Sequence, residues 1–157
     1  MKKFAWFLAA GLALAAPTTG CFMSQGNPLT PVEVQSNGSH DFSAEQEHVF
    51  KATAAALEGQ GYKLILVDQE HGHIKTGQKL VRAMAQGSYS SAVAIEATRQ
   101  YDVRLVAEGG KTRVTATPRV FMGSTDVSDG PVWDLEGPAG ERALWAQLFK
   151  EIDSNLK

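Results

Sequence analysis

The dipeptide Gly109-Gly110 limits the fold of this chain more than any other feature, because long runs of alternating residues flank it on both sides. Paired glycines between two such runs are typical of a two-residue β-hairpin turn. With the glycines as the loop, Glu108 pairs with Lys111 and Leu105 pairs with Val114. Apolar partners then share one face and polar residues share the other, which predicts a one-sided antiparallel sheet.

The apolar face of this hairpin extends upstream through Val93, Ile95 and Ala97, until Arg99 interrupts it. Two interpretations follow from the interruption. The segment is either one long, kinked strand or two separate strands.

An amphipathic helix is predicted before the hairpin. Apolar side chains recur at three- and four-residue spacing from Val49 to Leu57, which gives one face that can lie on a sheet. The tetrapeptide Ser43-Ala44-Glu45-Gln46 fits a capping box, so we expect the helix to begin at Ser43. It should end at Gly59 or Gly61.

Two further elements complete the predicted domain. The runs Tyr62–Val67 and His73–Thr76 predict a hairpin, in which Gly72 takes a positive φ. A last helix opens at Pro138 and carries an apolar stripe from Leu144 to Leu156. Together these elements predict an α+β fold, with an antiparallel sheet and two helices packed on one face in a helix-grip-like arrangement.

The N-terminal part of the chain reads as an export leader followed by a tether. Lys2 and Lys3 precede an apolar run of roughly 13 residues, which is shorter than the ~20 that a membrane-spanning helix needs. We therefore assign residues 1–20 to a signal peptide, residues 21–40 to a flexible tether and residues 41–157 to one domain. An edge strand at residues 32–34 is an alternative for part of the tether.

The single cysteine of the chain, Cys21, stands directly after the leader and has no second cysteine to pair with. The sequence Thr18-Thr19-Gly20-Cys21 resembles the lipobox of bacterial lipoproteins. That resemblance implies cleavage before Cys21, acylation of this residue and, with Phe22 next, sorting to the outer membrane on its periplasmic side or at the cell surface. Ordinary signal cleavage after Ala13-Leu14-Ala15, which would leave a free thiol, is the alternative.

Charge and motifs argue against several function classes. The net charge is −2, and loss of Lys2 and Lys3 with the leader leaves about −4, so we expect no nucleic-acid partner. His71 and His73 beside Glu70 lack a zinc spacing, and residues 126–130 lack the ligand set of a calcium loop. The serines of residues 87–91 lack a nucleophile elbow. We therefore predict no metal, no cofactor and no enzymatic activity.

Two groups of apolar residues are the remaining candidates for function, and their aromatic members belong either to a binding surface or to the core. Two segments carry aromatic, aliphatic and methionine side chains beside turn-rich or basic sequence, which is typical of protein-binding surfaces. Residues 78–91 are either a mobile loop that contacts a partner or the continuation of a strand. The candidate partner-binding residues are Phe121, Met122, Trp133, Leu80, Met84 and Tyr89.

A wider resemblance covers roughly residues 42–77. Gly61-Tyr62, Asp68, Gly72-His73-Ile74 and Thr76, which follow the amphipathic helix, are similar to the helix-grip domains of small outer-membrane lipoproteins such as the BamC accessory subunit of the β-barrel assembly machinery. The resemblance implies a non-enzymatic accessory role with an envelope protein as partner. The alternative functions are a periplasmic carrier of a small apolar or lipid ligand and, third, a hydrolase.

Overall fold

The computed structural model of the chain describes residues 27–86, 93–134 and 140–157. The predicted leader, Cys21 and residues 21–26 lie outside the described residues, as do Tyr89 and Pro138. The backbone of residues 83–86, 93–95 and 133 is described without their side chains.

Helices and strands fill most of the described ranges. The helices are Pro31–Asn37 (α1), Gln46–Gly59 (α2) and Glu141–Asn155 (α3). The strands are Asn27–Pro28 (β1), Ser39–Phe42 (β2), Leu64–Asp68 (β3), His73–Thr76 (β4), Lys79–Gln86 (β5), Val93–Glu108 (β6), Lys111–Met122 (β7), Thr125–Asp126 (β8) and Trp133–Asp134 (β9). The protein therefore has the α+β fold that the sequence predicts.

The main sheet has seven strands and is antiparallel throughout its described pairs. Its strand order is β2-β7-β6-β4-β3, with β5 paired beside β4 along β6 and β8 paired to β7. The two short strands β1 and β9 pair with each other in a separate sheet. In this order β2 and β3 form the two edges of the main path.

The central hairpin confirms the predicted register. Glu108 pairs with Lys111 and Leu105 pairs with Val114, while Gly109 and Gly110 take φ values of 58° and 81°. Strand β6 is one strand of 16 residues, so the interruption at Arg99 does not divide it. Strand β5 continues the sheet through residues 79–86, which favours the strand interpretation of that part of the 78–91 segment.

Helices α2 and α3 cover one face of the sheet. Val49, Phe50, Ala56 and Leu57 of α2 are buried, as predicted for its apolar face. From α3, the buried Trp145 donates its indole N–H to the Ala116 carbonyl oxygen of β7 at 2.9 Å. The space between these helices and the sheet is thus filled by side chains of both layers.

The prediction of a flexible tether is wrong for residues 27–40. Pro31–Asn37 forms a helix where an edge strand was the alternative, and Leu29 is buried in the core. The reason is a capping box: Thr30 accepts from the Glu33 N–H, and Glu33 accepts from the Thr30 N–H at 2.9 Å. Pro31 fits the first helical position because it lacks an N–H to satisfy.

The predicted start of α2 is also wrong. The helix begins at Gln46 with Glu45 at its N-cap, and no side chain caps it, so Ser43 does not form the expected capping box. The end agrees with the prediction, because α2 stops at Gly59 and Gly61 takes a φ of 81°. None of the described helices has the length and apolarity required to cross a membrane.

Candidate functional site

Edge strand β3 exposes three consecutive aliphatic side chains. Ile65 is 56% exposed, Leu66 is 40% exposed and Val67 is 55% exposed. Within the described residues β3 pairs only with β4, so its outer edge carries backbone N–H and C=O groups without a strand partner. An exposed apolar edge of this kind is a template for pairing with another extended chain.

Local sequence explains how this edge is built. Gly77 donates its N–H to the Lys63 carbonyl oxygen at 2.7 Å, which closes the start of the β3–β4 hairpin. A register shift between Leu64 and Leu66 marks a bulge, and Gly72 takes a φ of 59° in the loop at the other end, as predicted. Leu66 pairs with Lys75 and Val67 pairs with Ile74, so the exposed aliphatic side chains of β3 lie on both faces of the sheet at this edge.

A buried polar cluster lies on the helix-covered side of the sheet. We call the group formed by Gln60, Tyr62, Lys79, Arg99, Tyr101 and Glu141 the Arg99 cluster. The Arg99 Nη2 atom lies 2.6 Å from Glu141 Oε2, and both side chains are almost fully buried. The Tyr101 hydroxyl donates to Glu141 Oε1 at 2.9 Å. Glu141 is the first residue of α3, so the pair joins that helix to β6.

Burial governs the ionisation of this cluster. Burial raises the pKa of the Glu141 carboxyl, and the Arg99 charge opposes that rise. Burial raises the pKa of Tyr62 to about 12 and also raises the pKa of Tyr101 well above its usual value. Both phenols therefore stay protonated at neutral pH and can donate hydrogen bonds.

Arg99 is the functional candidate that the sequence signalled only indirectly. Its position in an otherwise apolar, inward-facing row places a guanidinium in the core. The alternating pattern gave that signal, but Glu141 and Gln60 lie far from Arg99 in sequence, and no spacing rule connects them.

The predicted partner-binding residues are spread over different parts of the fold. Phe121 and Met122 end β7, are half-buried and pair with β8, while Trp133 belongs to β9 and pairs with β1. The Arg119 guanidinium lies 5.6 Å from the Phe121 ring centroid, a cation–π distance. Phe121 and Trp133 thus lie in two different sheets, and the segment between them does not bring their strands into one pairing.

The other three predicted residues belong to the 78–91 segment. Leu80 is 52% exposed on β5. Met84 lies on the same strand, opposite Ile95, and Tyr89 falls outside the described residues. Leu80 therefore remains a candidate contact beside the main edge.

The histidine pair of the β3–β4 loop is held by two separate carboxylates. His71 Nδ1 lies 2.8 Å from Asp68 Oδ2, whereas His73 Nε2 lies 2.9 Å from Asp102 Oδ1. No group of three or more metal-ligating residues converges anywhere in the described ranges. Within residues 126–130, which lack a calcium ligand set, the Asp126 carboxylate accepts hydrogen bonds from Ser128 and Arg119.

A surface cleft of about 470 Å³ separates the start of α2 from the end of α3. Its lining combines charged, polar and aliphatic side chains, namely Ala44, His48, Lys51, Ala52, Ala55, Asn155 and Leu156. None of these lining residues belongs to a strand, whereas a carrier of an apolar ligand is expected to hold it between helix and sheet. The carrier function stays an untested alternative.

Comparison with solved structures finds ten chains that match this one. No protein-family model matches the chain, and no curated protein matches it. A solved structure of a DUF4468 family protein from Bacteroides ovatus aligns with a TM-score of 0.44 and 12% sequence identity, covering 75% of this chain and 84% of that chain. A likeness of this degree carries no functional information.

Proposed function

We propose that this chain is a lipid-anchored lipoprotein of the bacterial envelope that acts as a non-enzymatic protein-interaction module. Its edge strand β3 binds an extended, largely aliphatic segment of an envelope protein by strand addition. Main-chain hydrogen bonds supply the affinity in this mode, and the exposed side chains of the edge select the partner.

The observation that carries the proposal is the exposed aliphatic row at Ile65, Leu66 and Val67. Soluble domains usually protect a sheet edge with charge, proline or a covering element, because an open apolar edge promotes association. Here Lys63 and Asp68 flank the row, and no charge interrupts it. A partner strand would cover both the aliphatic side chains and the free backbone groups.

The lipid anchor places the module at the membrane. Acylation of Cys21 with several chains would hold the protein on a bilayer, since each buried methylene contributes about 0.8 kcal/mol. The folded part described here begins close behind that residue, with β1 at Asn27. The module would therefore stand near the outer-membrane surface, facing the periplasm or the cell exterior.

The test of the interaction is a pull-down of the full-length protein from its native envelope after chemical crosslinking. We expect the double substitution Ile65→Lys/Val67→Lys to abolish recovery of the partner, because charge on the edge opposes strand addition. Val106→Lys is the matched control, since Val106 is 52% exposed on the interior strand β6. It should leave partner recovery unchanged.

The anchor has its own test. Mass spectrometry of the purified protein should give the mass of an acylated chain that begins at Cys21, and Cys21→Ala should release the protein from the membrane fraction. A Cys21→Ala protein that stays membrane-bound would contradict the anchor. Equal partner recovery by the edge variant and the Val106→Lys control would contradict the interaction at β3.

A further inference from the structure

The Arg99 cluster holds more cationic and donor groups than its described residues satisfy. Within the described part of the chain, three buried donors, Arg99 Nε, Arg99 Nη1 and Gln60 Nε2, have no hydrogen-bond partner, against one buried acceptor, Glu141 Oε2, which lies beside Arg99 Nη2. Buried polar groups in native proteins are nearly always paired, and an unpaired charged donor is especially costly. A group with acceptor oxygens is therefore expected beside these donors.

Charge in the cluster leads to the same expectation. Lys79 on β5 is the direct cross-strand partner of Arg99 on β6, and like charges in that relation repel each other. Glu141 is the one carboxylate that contacts Arg99 among the described residues, and burial favours its neutral form. Among the described residues, two cations therefore have one carboxylate in direct contact with Arg99.

Lys79 connects the cluster to solvent. Its Nζ atom lies 4.9 Å from the Tyr62 ring centroid and donates to the Gln60 carbonyl oxygen, while its side chain is only half-buried. Arg99 lies beneath it, 2% exposed. Because Lys79 is the cross-strand partner of Arg99 and contacts Gln60, a small anionic group at Lys79 would lie beside the residues that carry the unpaired donors.

We infer that the Arg99 cluster binds the oxyanion group of a small ligand, a carboxylate or a phosphate. Arg99 and Gln60 donate hydrogen bonds to its oxygens, and Lys79 supplies the second positive charge. Glu141, which accepts from the Tyr101 hydroxyl, orients the guanidinium through its contact with Arg99 Nη2. This site is independent of strand addition at β3.

The probes are inorganic phosphate and acetate, titrated into the full-length protein by calorimetry at constant ionic strength made up with sodium chloride. We expect saturable binding of at least one probe. Lys79→Gln should weaken it at least tenfold, because the variant removes the second positive charge while keeping an amide donor at the position that faces the Gln60 carbonyl oxygen. Lys75→Gln is the matched control: Lys75 is a half-buried lysine on β4 that pairs with Asp102 on the other face, and its loss should leave binding unchanged.

A double variant, Arg99→Met/Glu141→Gln, removes both buried charges together, so it avoids the unpaired carboxylate that Arg99→Met alone would leave. It should fold and lose binding of the probe. Binding of phosphate alone would indicate a phosphate ester as the ligand, and binding of acetate alone would indicate a carboxylate. Binding of neither probe above the chloride background, or equal losses in the Lys79 and Lys75 variants, would overturn the inference.

Discussion

The two edges of the main sheet differ in how they meet solvent. Edge strand β2 has the sequence Ser-His-Asp-Phe; Asp41 forms an ion pair with Arg113 at 2.8 Å, and Phe42 is buried against Phe149 with a ring-centroid distance of 6.4 Å. Edge strand β3 is mostly aliphatic and exposes three consecutive side chains. Each edge strand has one strand partner among the described residues, but β2 is short, polar and anchored in the core by Phe42, and we call it the closed edge. We call β3, with its exposed aliphatic side chains, the open edge.

This difference indicates that the closed edge serves stability and that the open edge serves binding. The closed edge contributes Phe42 to the core, and its pairing with β7 continues at Gly38, whose carbonyl oxygen accepts from the Ala116 N–H at 2.8 Å. The open edge adds little to the core, so packing within the domain does not account for its aliphatic sequence. Binding of another chain does account for it.

The largest effect on stability is expected at the closed edge. Phe42→Ala should lower the free energy of unfolding by about 3–5 kcal/mol, because it removes a ring that is 3% exposed and leaves a cavity beside Phe149. Urea denaturation measures this change. A loss below about 1 kcal/mol would mean that β2 is as weakly attached as β3.

The second largest effect on stability is expected in the loop that joins β3 to β4. Gly72→Ala should cost about 3 kcal/mol, because its φ of 59° disfavours a side chain and the new Cβ would collide with the Leu105 carbonyl oxygen. Gly109→Ala is the control, with a φ of 58° and no atom near the new Cβ, and should cost about 1–2 kcal/mol. Equal losses in the two variants would show that the β3 hairpin yields to accommodate the methyl group.

Much of the fold could be predicted because local rules determine it. The Gly109-Gly110 turn fixed the register of β6 and β7, and the spacing of Val49 to Leu57 fixed the buried face of α2. Residues 31–37 differ from the prediction. The alternation at Val32 and Val34 is typical of a strand over three residues, but the Thr30–Glu33 capping box favours a helix.

The candidate site was less accessible to sequence reasoning. An aliphatic run such as Leu64–Val67 indicates a strand, but only the strand order shows that the run lies at an edge. The Arg99 cluster joins residues from β5, β6, α3 and the end of α2. Its geometry depends on the complete tertiary packing, for which a single sequence offers no spacing rule.

Alkaline pH should lower the free energy of unfolding through Tyr62, the buried residue beside the open edge. Tyr62 immediately precedes β3 and is 4% exposed, and burial raises its pKa from 10 to about 12. The native state therefore holds this proton more tightly than the unfolded state. The resulting stability is present below pH 10 and is lost as the pH rises through about 12, up to roughly 2–3 kcal/mol.

Urea midpoints between pH 9 and pH 12 measure this loss, together with phenolate absorbance. In Tyr62→Phe the decline over that range should be smaller than in the wild type. An unchanged decline in Tyr62→Phe would assign the pH dependence to other groups.

The smallest effect on stability is expected at the open edge itself. Ile65→Lys/Val67→Lys should change the free energy of unfolding by about 1 kcal/mol or less, since both side chains are more than half exposed. Urea denaturation beside Phe42→Ala compares the two edges directly. A loss as large as that of Phe42→Ala would show that β3 contributes to the core and would remove the reason to regard it as a binding edge.

Site-specific photocrosslinking in living cells tests the central claim most directly. A photoreactive amino acid replaces Ile65 in one full-length protein and Val106 in another, and the crosslinked products are identified by mass spectrometry. Strand addition predicts that position 65 crosslinks to one defined envelope protein, through a contiguous segment of it, and that position 106 does not. Crosslinks from both positions to the same mixture of proteins, or none from position 65, would contradict the claim.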